Sequence, residues 1–291
     1  MKVCGFSFIR SAIQYDYPVV EAILSILPVC DQFVIAVGKS DDGTLELIRS
    51  IDSSKIQIIE TVWDDTLRQG GHVLALETDK AFHAISSDYD WAFYIQGDEV
   101  IHEKYLPAIS QAMRDNLHDR RVEGLLFNYI HFYGSYDYIG EAISWYRKEI
   151  RVIRNDKSIF SYKDAQGFRK KPNTKLKVKL VDVHVHHYGW VRDPVALQKK
   201  NTSMQKLWHD DNWVDEHVSK AAQFDYGDTE SLKRYTGDHP EVMRKRIYQK
   251  NWNYDRDLSR NNFTFMDKLR LWIERISGWR MGEYKNYKLI K

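Results

Sequence analysis

The alternation of strand and helix signals through the first hundred residues limits the fold more than any other feature of this chain. Residues 3–9 are a short apolar run rich in β-formers and predict a strand. Residues 17–27 carry Val20, Ile23, Leu24 and Leu27 at helical spacing, and Pro28 stops the pattern. A second strand is expected over 32–37, a turn over 38–44, a helix over 45–51, a third strand over 56–60 and a helix over 71–86. A fourth strand, 90–95, runs into Gly97-Asp98-Glu99. This order predicts βαβ units and a mostly parallel sheet flanked by helices. In such sheets ligands sit beyond the carboxyl ends of the strands. Asp42 and Asp98 both follow strands, so both are expected on that edge.

The middle of the chain changes character. Residues 125–133 and 150–154 read as strands, and the polar, basic stretch 163–175, with Gly167 and Pro172, reads as a loop. Residues 176–187 alternate polar and apolar side chains with period two, a strand signal. From Pro194 onward the sequence is charged, aromatic and helical. The expected organisation is an α/β domain over 1–190 and a helical C-terminal region over 191–291. A hydrophobic fraction of 43% suffices for a large core, and a net charge of +2 gives no field that points to nucleic acid. Cys4 and Cys30 are expected to be free, buried thiols. The N-terminus does not read as a signal peptide, and no run of about 18 apolar residues exists to span a bilayer. A cytoplasmic protein, at most peripheral to the inner face of a membrane, is expected.

An apolar strand that delivers Asp98 and Glu99 at its tip suits one chemistry in particular. A nucleoside diphosphate cannot be held by carboxylates directly, but a divalent cation can bridge the two, because hard oxygen ligands bind Mg²⁺ or Mn²⁺ and phosphates complete the shell. The alternative use of the two acids is to cap the following helix. Ser40-Asp41-Asp42-Gly43-Thr44 resembles the S-x-D-G-T turn of family-2 glycosyltransferases, and Gln96-Gly97-Asp98-Glu99 resembles that family's D-x-D motif in degenerate form. Arg68-Gln69-Gly70-Gly71 and residues 75–81 resemble the stretch between them, and the likeness covers roughly the first 110 residues. The resemblance implies a GT-A fold and inverting transfer from a nucleotide sugar (UDP-, GDP- or dTDP-linked). Two positions depart from the pattern. Val37 and Gly38 stand where many members place an aspartate, and Gln96 replaces the first aspartate of D-x-D. Asp98 is left as the main carboxylate for a metal, with Glu99 as its secondary neighbour.

The resemblance also implies a late histidine as a second metal ligand, and His187-Tyr188-Gly189-Trp190-Val191-Arg192 is similar to that element. His187 is the favoured ligand, with His184 and His186 as alternatives; strand alternation puts His184 and His186 on one face and His187 on the other. Inverting transfer needs a general base. Asp164 is the first candidate, with Glu149 and Glu141 behind it. Arg10, Arg68, Lys80 and Arg192 are candidate diphosphate partners, because guanidinium and ammonium groups complement phosphate. Asp42 and Gln96 complete the expected nucleotide-sugar contacts. Trp145, Tyr146, Trp190 and the aromatic run 128–136 could platform an acceptor, a glycan or a lipid-linked sugar. The tail 262–291 mixes large apolar residues with Lys and Arg and reads as an amphipathic helix docked on the body, on a partner subunit or on an anionic membrane surface, with the body as the default. The rival functions are a nucleotidyltransferase, a metal-dependent hydrolase built on His184 and His186, and an inactive glycan-binding homologue.

Overall fold

The computed structural model describes residues 1–68, 70–227, 231–258 and 263–290. Gln69 of the inter-motif stretch, and Asn262 and Lys291 at the ends of the tail, lie outside the described residues. In chain order the elements are β1 (Val3–Ile9), α1 (Val19–Ile26), β2 (Gln32–Gly38), α2 (Thr44–Arg49), β3 (Ile56–Thr61), α3 (His72–His83), β4 (Trp91–Tyr94) and β5 (Glu99–Ile101). There follow α4 (Leu106–Asp115), β6 (Gly124–Tyr133), β7 (Ser135–Gly140), β8 (Lys148–Arg154), β9 (Ile159–Tyr162), β10 (Gly167–Lys170) and β11 (Thr174–Trp190). The C-terminal region holds α5 (Pro194–Gln205), α6 (Asp211–His217), β12 (Leu232–Arg234), α7 (Arg244–Tyr248), α8 (Phe265–Ser277) and β13 (Tyr287–Leu289).

A mixed sheet runs in the order β3-β2-β1-β4-β8-β6-β11-β10-β9. Strands β3, β2, β1 and β4 are parallel, as the alternating signals predict. Both faces of β2, β1 and β4 are covered, which explains why these strands lack a polar face, while the edge strand β3 exposes Gln57 and Glu60. Phe33 and Ile35 of β2 and Phe93 of β4 pack in one core with Ile23 of α1 and Ile109 of α4. Val34, Ala36 and Tyr94 face the other way, into a core with Ala81 and Phe82 of α3. Each fully buried ring of this kind contributes roughly 2–3 kcal/mol. Strand β8 runs against β4, and β6 runs against β8. The two reversals cancel, so β6 and β11 run with β4, and the carboxyl end of β11 falls on the same edge as those of β1 and β4.

The structure corrects the reading of 163–175 as a loop. Gly167–Lys170 is strand β10, a hairpin partner of β9. Its basic residues hide the signal, because Arg169 is buried and donates from Nε to Asn286 Oδ1 while Phe168 fills the core. The region after residue 190 carries α5 to α8 between stretches that are not helical, and it returns two short strands, β12 to β7 and β13 to β11. Cys4 and Cys30 are free and buried. Among the described residues no helix is long and apolar enough to cross a membrane.

Candidate active site

Past the ends of β1, β4 and β11 lies a cleft of about 350 Å³. Arg10, Gln96, Gly97, Asp98, Asp164 and His187 line it, and Lys200 and Met204 of α5 with Trp208 form its roof. Gly97 lets the turn after β4 lie against β1, since a β-carbon there would stand 2.9 Å from Ile9. The two acids that follow point in opposite directions. Glu99 is fully buried and turned inward. It accepts from Arg151 Nε at 2.8 Å and Nη2 at 2.7 Å, from Tyr129 Oη at 2.7 Å and from the Gln96 amide at 3.1 Å. That network ties the β4–β5 turn to β8 and uses all of Glu99's capacity, so Glu99 is structural.

Asp98 faces the cleft. Lys200 Nζ donates to its Oδ2 at 3.1 Å and Arg192 Nη2 at 3.3 Å, while Oδ1 lies 3.7 Å from His187 Nε2. Burial pushes the Asp98 carboxyl up, but the Lys200 and Arg192 cations hold it well below the usual carboxylate range. Burial pulls Lys200 down to about 8, which leaves it mostly protonated at neutral pH. Lys200 also donates to the Gly189 carbonyl at 3.0 Å.

The hydrogen-bond network fixes the tautomers of two histidines. The Tyr146 carbonyl can only accept, so His131 Nε2, 2.6 Å away, carries a proton. Burial pushes His131 down to about 3 and His187 down to about 4, so both rings are neutral. His131 Nδ1 is then a lone pair and accepts from His187 Nδ1 at 2.9 Å. It follows that His187 Nε2 is unprotonated and presents its lone pair to Asp98 Oδ1. Only glycine at position 189 leaves this approach open, because a β-carbon there would lie 2.6 Å from His187 Nε2.

Two acceptors that converge at 3.7 Å with no proton between them suit a shared divalent cation. Among the described residues no group of three or more His, Cys, Asp or Glu could hold a metal. The protein therefore offers two ligands, and phosphate and water would have to supply the rest, as is usual for Mg²⁺. The residues fit Mg²⁺ or Mn²⁺ on those terms. They do not fit zinc on the other histidines. His184 Nδ1 lies 3.4 Å from Tyr105 Oη, and His186 Nε2 lies 3.1 Å from Tyr235 Oη, on the face of β11 away from the cleft.

The remaining sequence candidates scatter. Arg10 lines the cleft, its guanidinium 4.3 Å above the Trp63 ring and paired with Asp65 at 2.8 Å. Gln96 lines it too, and donates to the Ala165 carbonyl at 3.2 Å. Asp164 is on the rim, its carboxyl raised chiefly by burial. Glu149 sits behind Gln166, from which it accepts at 2.9 Å, and burial pushes it up to about 8. Tyr146 and Trp190 line the cleft, while Trp145 stacks on His131. Asp42 does not line it. Its carboxylate accepts from Ser40, from the Thr44 hydroxyl and amide, and from the Gln14 amide, so it holds the turn before α2. Arg68 pairs with Asp211 at 2.7 Å and lines a separate depression. Lys80 pairs with Glu77 on α3, Glu141 with Lys233, and Arg192 is buried behind Asp98. Nothing in the sequence singled out Lys200 or His131. Lys200 lies 102 residues from Asp98, on a helix whose pattern is not amphipathic. His131 was legible only as part of an aromatic run.

Beyond Lys200 a second chamber of about 370 Å³ opens, walled by Trp190, Leu197 and Trp208 and sharing His187 and Lys200 with the first.

No family model matches this chain, and no curated protein does. Among solved structures it is similar to Staphylococcus aureus TarS residues 1–349 in complex with UDP, at 14% identity and a TM-score of 0.35 over 46% of this chain and 37% of that one. It is similar to 4-diphosphocytidyl-2C-methyl-D-erythritol synthase from Anaerococcus prevotii, at 10% identity and a TM-score of 0.33 over 53% and 70%. It is similar to glucosyl-3-phosphoglycerate synthase from Mycobacterium tuberculosis in complex with Mn²⁺, UDP and phosphoglyceric acid, at 17% identity and a TM-score of 0.30 over 45% and 43%. The match spans less than half of the TarS and synthase chains from S. aureus and M. tuberculosis.

Proposed function

We propose that this chain is a glycosyltransferase that moves a sugar from a nucleoside-diphosphate donor to a hydroxyl of a glycan or lipid-linked acceptor, with inversion, in surface-polysaccharide or glycoconjugate assembly. One observation carries the reading: Asp98 Oδ1 and His187 Nε2 converge as bare acceptors beyond the strand ends, with Lys200 against the other carboxylate oxygen. Asp98 and His187 would hold Mn²⁺ or Mg²⁺, and such an ion, when bound, stabilises charge on the departing diphosphate. His131 holds the His187 ring in the tautomer that this needs. Lys200 places a cation where leaving-group charge collects, fixed in advance so that no reorganisation is required in the transition state. Arg10 and the Trp63 ring beneath it offer a charged and a stacking contact for the nucleotide, UDP-, GDP- or dTDP-linked.

Asp164 is the proposed general base. It reaches the cleft, and burial raises its pKa, which makes the carboxylate a stronger base. Glu149 is protonated there and supports Gln166 from behind, so it is not the base in this reading. The Trp190–Trp208 chamber on the far side of Lys200 is the proposed acceptor side, where flat aromatic walls suit a sugar ring.

A thermal-shift screen of UDP, GDP and dTDP sugars with and without Mn²⁺ tests the reading. Stabilisation by one base class, strengthened by the metal, is expected; at a ligand concentration of ~100 Kd it amounts to ~2.7 kcal/mol. No response to any of the three would remove the donor site from consideration.

A further inference from the structure

Helix α8 is built to stand on its own but is docked by the wrong face. A full capping box at Thr264 and Asp267 starts it, and Gly278 in the left-handed region (φ +68°) ends it. Its polar side points inward. Glu274 pairs with Arg147 at 2.7 Å and with Arg280 at 2.7 Å, and Arg280 Nη1 donates to the Trp145 carbonyl at 2.8 Å. Its apolar side points to solvent. Phe265 (80% exposed), Leu269 (37%), Trp272 (60%) and Ile276 (67%) follow one another at helical spacing and form a single stripe, and Trp279, just past the C-terminal glycine, is exposed as well. A surface helix ordinarily turns such a stripe to the core, and a contiguous apolar ridge of this size marks a contact surface.

The charges around the ridge identify what it contacts. The exposed ionic side chains of residues 263–290 are Lys268, Arg275, Lys285 and Lys288. The acids of the same stretch are turned in: Asp267 caps the helix, and Glu274 and Glu283 hold Arg147. Within residues 263–290 the exposed charges beside the ridge are therefore all cations. A second copy of the chain would set cations against cations. An anionic lipid surface accepts both features, with the stripe in the acyl boundary and Lys268 and Arg275 among the headgroups. We propose that α8 seats this protein on an anionic lipid surface. The inference does not depend on the transfer reading, although the two meet in one place. Arg147, which anchors α8, follows Tyr146 in the cleft wall, so a seated helix would hold the cleft beside the bilayer.

The test is cosedimentation of the full chain, without substrate, with vesicles of phosphatidylcholine alone or mixed equally with phosphatidylglycerol. Binding to the mixed vesicles and little to the neutral ones is expected. A Trp272→Ser/Ile276→Ser variant, altered only at exposed positions, should bind at least about tenfold more weakly. A Lys268→Glu/Arg275→Glu variant should lose roughly fivefold or more for each cation. Circular dichroism on each variant checks that the helix remains. Wild-type protein that stays in the supernatant with both vesicle types would overturn the proposal. So would sedimentation equilibrium showing a dimer that the Trp272→Ser/Ile276→Ser change abolishes, because the ridge would then belong to a second copy.

Discussion

Replacing His131 with phenylalanine isolates the tautomer argument. In the native protein the proton on His131 Nε2 is held by the Tyr146 carbonyl at 2.6 Å, and its Nδ1 holds the proton of His187 Nδ1 at 2.9 Å. Phenylalanine keeps the ring that stacks on Trp145 and removes both bonds. His187 is then free to carry its proton on Nε2, where it would close the lone pair that faces Asp98. An outer partner of this kind typically governs 10–100-fold in metal affinity, or about 1.4–2.7 kcal/mol. The expected result is a rise of that size in the Kd for Mn²⁺, measured calorimetrically on protein saturated with nucleoside diphosphate. His131→Asn, which can still accept from His187, should recover part of the loss. Nitrogen NMR of His187 in the metal-free protein should report the tautomer change directly. Unchanged Mn²⁺ affinity in a folded His131→Phe protein would refute the reasoning, whatever the activity.

Three further outcomes follow from buried charge. Arg151→Met leaves Glu99 buried without its partner, which should cost about 3–5 kcal/mol in urea unfolding. His131 and His186, at about 3, and His187, at about 4, are all pushed down by burial from an ordinary 6.5. A depressed pKa means that the unfolded chain takes up protons first. Their contribution is therefore intact above pH 6.5 and is lost as pH falls toward 3–4, by up to about 2 kcal/mol per ring at pH 5; the melting temperature should fall steeply over that window. Glu149 runs the other way. Burial raises it from 4.5 to about 8, so its stabilising effect is full below 4.5 and fades as pH rises through 8. Glu149→Gln should then gain up to about 3 kcal/mol at pH 7 and flatten the alkaline side of the melting-temperature profile.

The parts of this fold that the sequence discloses are those in which local pattern and burial agree. Strands β1 to β4 and the helices between them have the period and the breakers expected of a sheet covered on both faces. The Asp98 and His187 positions are legible through motif order together with strand alternation, which separates His187 from His184 and His186. Strands β5, β7, β9, β10, β12 and β13 were not legible, because they are short and polar residues in them are satisfied by contacts distant in sequence, as Arg169 is by Asn286. Surface cations have partners that the sequence does not mark. Arg68 and Lys80 look like phosphate partners in isolation, but each meets an acid, Asp211 or Glu77, that only the folded chain or a helical turn supplies. Lys200 shows the converse, since a lysine on an unpatterned helix has no sequence mark until the fold lays it on Asp98. The amphipathic character of α8 was legible, but the direction of its apolar face was not, because salt bridges to Arg147 decide it.

Titration of Asp98→Asn with the nucleoside diphosphate that stabilises the wild type tests the central claim most directly. The substitution keeps the side chain's shape and removes the charge that pairs with Lys200 and converges with His187. Wild-type protein should bind the diphosphate more tightly with Mn²⁺ than without it, and the variant should lose that Mn²⁺-dependent increment while staying folded. An equal Mn²⁺ increment in both proteins would place the diphosphate end of the site elsewhere and contradict the account.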